Sequence, residues 1–243
     1  MSAGTALPAE VEREEAARGL AWAYLACAFS YPSEEMLKRL EAAQPELERA
    51  AAVLDLRLPE GLGAAVARAR SRLGELQGLY NRLFVTGLEA PITETSYELD
   101  KTARRAAELA DVLGFYRAFG VRLGAPLEPD HLVAELEFLS LLTQKSRYFA
   151  ETGDEQGFEV AERAYRSFLE DHLGRWYEVF ADRLEAATED PFYRALAALL
   201  REWLAREVAR VGVRPLKLTR LALQPASASG WSCPAGPGAA PAS

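Results

Sequence analysis

Apolar residues return every three to four positions along most of this chain, the spacing of a helix with one buried face. Between Glu10 and Phe29 that face carries Ala17, Leu20, Ala21, Tyr24, Leu25 and Ala28. Ser33, followed by Glu34 and Glu35, fits an N-cap with an acidic first turn and predicts a second helix to about Ala52. Pro59, Gly61 and Gly63 separate it from a third over Ala64 to Phe84. Residues 85–98, VTGLEAPITETSYE, place Gly87, Pro91 and three threonines between helical regions and read as a shaped loop. A long helix is expected from about Leu99 to Phe119. Another runs from His131 to Tyr148, with Asp130 capping or opening it, and a further one covers Glu159 to Ala187. Asp190 and Pro191 supply a cap and a first-turn proline for a last helix to about Val211.

No segment alternates as a strand does, so the pattern predicts an all-α fold. We expect a single globular helical domain of about seven or more helices over residues 10–221, with a division into two lobes near residues 120–130 left open. Residues 1–9 read as a flexible leader. Residues 222–243 read as a flexible Pro/Gly/Ala/Ser tail, with Trp231 and Cys233 its only distinctive side chains. The 243 residues suffice for a real core, and 49% hydrophobic with 26% charged residues excludes a disordered polyelectrolyte. Two cysteines far apart exclude a disulfide scaffold. The first residues hold no basic segment ahead of an apolar run, and no window is apolar enough to span a bilayer, so the expected location is cytoplasmic.

The net charge is -8. Residues 128–180 hold 12 acidic and 5 basic residues, a net of -7, while the rest of the chain holds 24 and 23. Such a chain has no use for a nucleic-acid or anionic-membrane partner. The acidic stretch is either a solvated face or a groove for a guanidinium-rich peptide. Arg214, Lys217 and Arg220 are too few to bind nucleic acid and fit the end of the folded domain.

Candidate chemistry is sparse. His131 and His172 are the only histidines, and neither cysteine stands near them in a ligand spacing, so no metal is expected. Each could tie helices together or contact a guest. His131, Glu135 and Phe138 share one helical face, and His172 pairs with Trp176 beside Asp171 and Arg175. GxSxG, phosphate-loop, dinucleotide and HExxH motifs are all absent from the sequence. Tyr80, Leu83 and Phe84, with Trp176, Tyr177 and Phe180, suit a core or an apolar pocket beside carboxylates.

Three stretches go beyond composition: LYNRLFVTGLEAPITETSYE at 79–98, LEPDHLVAELEFLSLL at 127–142 and FLEDHLGRWYEVFADRLEAATEDPFYRALAALL at 168–200. Together they resemble the TorD/DmsD family of redox-enzyme maturation chaperones, with relatives of the nitrate reductase assembly factor. E-P-D-H followed by an E-L-x-F-L helix is the most specific part. The resemblance implies a cytoplasmic, non-catalytic chaperone without a cofactor. Its partner would be a molybdopterin-containing oxidoreductase apoprotein, including its twin-arginine signal peptide, held back until cofactor is loaded. Carried over, the client-peptide residues fall on Phe84, Tyr97, Glu98, Glu128, Pro129, Asp130, His131, Glu135 and Phe138, with a secondary motif at Asp171, His172 and Trp176. The first loop departs from the double-proline pattern of many relatives, keeping Pro91 and Tyr97-Glu98 at other spacing. A structural subunit of an oxidoreductase complex and a nucleotide-binding regulator are the alternatives, and monomer or dimer stays open.

Overall fold

The computed structural model describes residues 9–86, 88–98, 105–124 and 127–218. The leader over 1–8, the tail over 222–243 with Trp231 and Cys233, Arg220, and the expected helix start at 99–104 lie outside the described residues. Nine α-helices stand among the described residues: α1 (Ala9–Ala28), α2 (Glu34–Leu54), α3 (Leu62–Ser71), α4 (Leu73–Tyr80), α5 (Arg105–Ala118), α6 (Leu132–Thr152), α7 (Glu155–Asp171), α8 (Leu173–Ala187) and α9 (Pro191–Val211). A π-helical turn, Asn81–Val85, extends α4, and a 3-10 turn spans Glu94–Tyr97. The all-α expectation holds, and no strand occurs among the described residues.

Caps read from the sequence form as expected. Ser33 Oγ accepts from Met36 N at 3.1 Å, and Asp190 Oδ1 accepts from Phe192 N at 3.0 Å with Pro191 in the first turn. At α6 the residue doing this is His131, whose Nδ1 accepts from Val133 N at 3.2 Å. Asp130, expected to cap or open the helix, turns its carboxylate elsewhere. Gly153 and Gly212, at φ 71° and 70°, close α6 and α9 in the left-handed conformation that glycine adopts without strain.

Two expected helices are each divided. The third breaks at Arg72 (φ -119°, ψ 27°), separating α3 from α4. The expected helix over 159–187 breaks at His172 (φ -126°, ψ -103°), separating α7 from α8. Behind this second break Gly174 sits so close to the end of α7 that a Cβ there would meet Leu169 O at 2.0 Å. The break therefore depends on a missing side chain.

α1 packs on α2 and α6, α6 on α7, α7 on α8, and α8 on α9, which also meets α3. One buried apolar cluster runs from Ala17 to Val213 and includes helices on both sides of residues 120–130. Inside it lies a charged knot. Arg18 of α1 is held by Glu207 of α9 (2.8 Å), which also accepts from Tyr165 of α7, and Trp22 Nε1 donates to Tyr165 Oη at 3.1 Å. Three helices are thereby cross-linked by polar bonds between buried side chains. No helix among the described residues is long and apolar enough to cross a membrane.

Candidate functional site

The loop expected over 85–98 is folded onto the start of α6 by backbone bonds. Leu132 N donates to Ile92 O (2.9 Å) and Glu94 N to Asp130 O (3.0 Å), around a bridge between Thr93 and His131. Asp130 Oδ2 accepts from both Thr95 N (3.0 Å) and Thr95 Oγ1 (2.7 Å). Tyr97 donates to Pro91 O at 2.7 Å and stacks on Trp176 with ring centroids 5.5 Å apart. The loop is thus a rigid strap across α6 and α8.

Beneath and beside it carboxylates gather. Arg175 of α8 donates from Nη2 to Glu98 Oε1 (2.6 Å) and from Nη1 to Glu94 Oε1 (3.1 Å), and Glu108 of α5 stands 3.6 Å away. Glu94 Oε2 lies 3.1 Å from His172 Nδ1, and His172 Nε2 lies 3.2 Å from Asp111 Oδ2. Deeper, Glu135 Oε2 accepts from Trp176 Nε1 at 3.2 Å. Asp130 Oδ1 and Glu135 Oε1 are buried without a hydrogen bond.

Electrostatics follow from this crowding. Burial raises the Glu94 carboxyl, against the lowering pull of His172 and Arg175. Burial also raises Glu135 far above the carboxylate range, reinforced by the charges of Glu94 and Asp130. The histidines diverge. Burial lowers His131 to about 4, overriding Asp130. Burial opposes the charging of His172 too, but the bond to Glu94 and the charges of Glu94, Asp111 and Glu108 outweigh it and raise its pKa.

The structure brings Tyr97, Glu98, Asp130, His131, Glu135, His172 and Trp176 into this one region, but not as an open groove. Tyr97, Glu98, Asp130 and Glu135 are buried. Phe138 is buried against Phe115, Tyr116, Phe119 and Phe168, and Phe84 against Tyr80, Phe180 and Tyr193. In the conformation seen these side chains face partners within the chain, with only Asp130 Oδ1 and Glu135 Oε1 left without a hydrogen bond. Glu128 is exposed and pairs with Arg105 at 2.8 Å, Pro129 and His131 are half-buried, and Asp171 is exposed. Sequence reasoning missed Glu94, Glu108, Asp111 and the central role of Arg175. The one available signal was Arg175 lying between His172 and Trp176 in an acidic stretch. Glu94, Glu108 and His172 also bring ligand atoms within 4.8 Å of one another, as a metal would require. Arg175, bonded to Glu94 there, supplies positive charge from the chain itself.

Residues 34–182 match the family described as nitrate reductase delta subunit. Over 146 residues the chain is 34% identical to the chlorate reductase assembly chaperone protein of Ideonella dechloratans, covering 58% of this chain and 73% of that protein. It is 36% identical over 115 residues to the selenate reductase assembly chaperone protein of Thauera selenatis, covering 46% and 58%. It is 33% identical over 128 residues to the perchlorate reductase assembly chaperone protein of Dechloromonas aromatica (strain RCB), covering 49% and 56%. The chain thus spans little more than half the length of the last two relatives. These matches make the chain a redox-enzyme maturation chaperone of the TorD/DmsD class. Within it, the chain belongs to the nitrate reductase delta subunit family.

Proposed function

We propose that this protein is a cytoplasmic chaperone for the apoprotein of a molybdopterin-containing oxidoreductase that reduces an oxyanion. It binds the immature catalytic subunit, including its twin-arginine signal peptide, and releases it once cofactor is loaded. The observation that carries this reading is the set of glutamates, Glu94, Glu98 and Glu108, converging on one guanidinium beside the E-P-D-H turn. That arrangement suits an arginine-bearing segment, because the planar fork of a guanidinium can donate to several carboxylates at once. The names of the relatives, assembly chaperones of chlorate, selenate and perchlorate reductases, support the client class.

The action is reversible binding rather than bond chemistry. Affinity near micromolar, about -8 kcal/mol, holds an immature client yet lets the mature one leave. Glu128, Pro129 and His131 form the accessible rim, and the interior carboxylates fix its shape.

The test is a pull-down of the tagged protein from cells with and without molybdenum-cofactor synthesis, read by mass spectrometry. Enrichment of one oxidoreductase catalytic subunit in its cofactor-free form is the expected result. The family description names a subunit, which favours a second reading as a permanent component of the complex. Equal recovery of cofactor-loaded enzyme would establish that instead.

A further inference from the structure

Arg175 holds an unusual position for a structural arginine. Its guanidinium donates to Glu98 (2.6 Å), Glu94 (3.1 Å) and the Asp171 carbonyl (3.2 Å), with Glu108 at 3.6 Å. These partners come from the strap, from α5 and from the end of α7, so one side chain fastens three separate segments to α8. The surrounding region is also short of donors. Asp130 Oδ1 and Glu135 Oε1 are buried acceptors with no hydrogen bond. The fully buried His172 ring faces Asp111 through Nε2 at 3.2 Å but makes no hydrogen bond there.

The cradle is not sealed. Exposure of the side chains rises from 13% at Arg175 to 22% at Glu108 and 64% at Asp111. The guanidinium therefore keeps a partial opening to solvent, beside the acidic side chains of Glu108 and Asp111. A long, flexible side chain at such a place can swing outward without disturbing the helix that carries it.

We propose that Glu94, Glu98 and Glu108 form a receptor for an arginine of the client, and that Arg175 is its resident stand-in, displaced when the client's arginine enters. This rests on the reading of the protein as a binder of arginine-bearing clients. Exchange of one guanidinium for another leaves the buried charge balance unchanged, so the desolvation of the glutamates is met once, on folding, and not again on binding. A lysine is a compact point charge that cannot span Glu94 and Glu98 as the planar fork does. The receptor is therefore selective for arginine. Displacement of Arg175 also removes one of the strap's ties to α8, leaving the Tyr97–Trp176 stack in place, which couples occupancy of the receptor to the position of the E-P-D-H turn.

The experiment compares wild type with Arg175→Ala and Arg175→Lys, using a synthetic peptide with two consecutive arginines ahead of a leucine-rich run and its two-lysine counterpart. Removal of the competitor is expected to tighten the arginine peptide about tenfold in Arg175→Ala and by a smaller factor in Arg175→Lys. The lysine peptide gains little in either. In the otherwise native chain Glu108→Gln weakens the arginine peptide while leaving both close bonds of Arg175 in place. Unchanged or weaker binding of the arginine peptide in Arg175→Ala or Arg175→Lys, with helical circular dichroism retained, overturns the proposal. If neither variant folds, unchanged affinity in Glu108→Gln overturns it. A wild-type protein that captures its apoprotein from cells but ignores the arginine peptide refutes the receptor alone. Failure to capture the apoprotein refutes the broader function as well.

Discussion

Asp130 takes two hydrogen bonds through a single oxygen from one residue, Thr95, which stands 35 positions earlier in the chain. The backbone N–H and the hydroxyl of Thr95 both point at Oδ2, so the aspartate of E-P-D-H acts as an anchor for the strap rather than as a helix cap. Thr95→Val keeps the backbone bond and deletes the hydroxyl. A hydrogen bond to a charged group is worth about 1.5–3 kcal/mol, and urea unfolding should show a loss of that size. A loss under about 0.5 kcal/mol would mean that the hydroxyl does not hold the aspartate in solution.

The two histidines should titrate apart. His131, lowered to about 4, binds fewer protons when folded than when unfolded, so its contribution to stability is present above its ordinary value of 6.5 and is lost as pH falls towards 4. His172, raised in the folded state, does the opposite: its contribution is complete below 6.5 and fades as pH rises through the folded value. With only two histidines in the chain, imidazole proton shifts followed by NMR give one titration near 4 and one above 6.5. Coincident curves near 6.5 would place both rings in water.

Arg18 and Glu207 form a buried pair, and breaking one side strands the other charge. Glu207→Leu alone should cost about 3–5 kcal/mol. Arg18→Met together with Glu207→Leu should cost much less, because Glu15 and Arg210, the remaining charged partners, are partly exposed and can return to water, which leaves only the Tyr165 hydroxyl without its acceptor. Chemical denaturation of the two variants beside wild type forms the check. Equal losses in single and double variants would show that packing, not charge, dominates there.

Gly174→Ala should be among the most damaging small substitutions. The added methyl would meet Leu169 O at 2.0 Å and Pro215 Cγ at 2.7 Å, backbone and ring atoms with little freedom to yield. Overpacking of this kind costs about 3 kcal/mol. Thermal melting should fall clearly, and a melt equal to wild type would show that the break between α7 and α8 relaxes freely.

What the sequence reveals and hides has a physical pattern. Ser33 and Asp190 are legible because a cap acts on donors two or three residues away, within the reach of local reading. The breaks at Arg72 and His172 are hidden because the apolar face continues on both sides, leaving periodicity intact while the backbone turns. The region around Tyr97, Asp130 and Trp176 could be named through its motifs, yet its closed, interior character could not. Glu94 finds His172 78 positions away and Arg175 81 away, and pairings of that length leave no trace in local spacing. The roles of Glu128, Asp130 and Glu135, alike as acidic residues of one motif, also separate only in three dimensions: one is exposed, one anchors the strap, and one is buried against Trp176.

The strap has one more consequence, for the order in which the molecule is made. The polar side-chain bonds at Glu94 and Glu98 wait on residues beyond 170, and closing such long loops is an entropic cost met only after the intervening helices have formed. A chain emerging from the ribosome therefore displays the carboxylates long before it owns the arginine that gathers them. The strap is therefore completed only once α8 has been made, well after its own residues have left the ribosome.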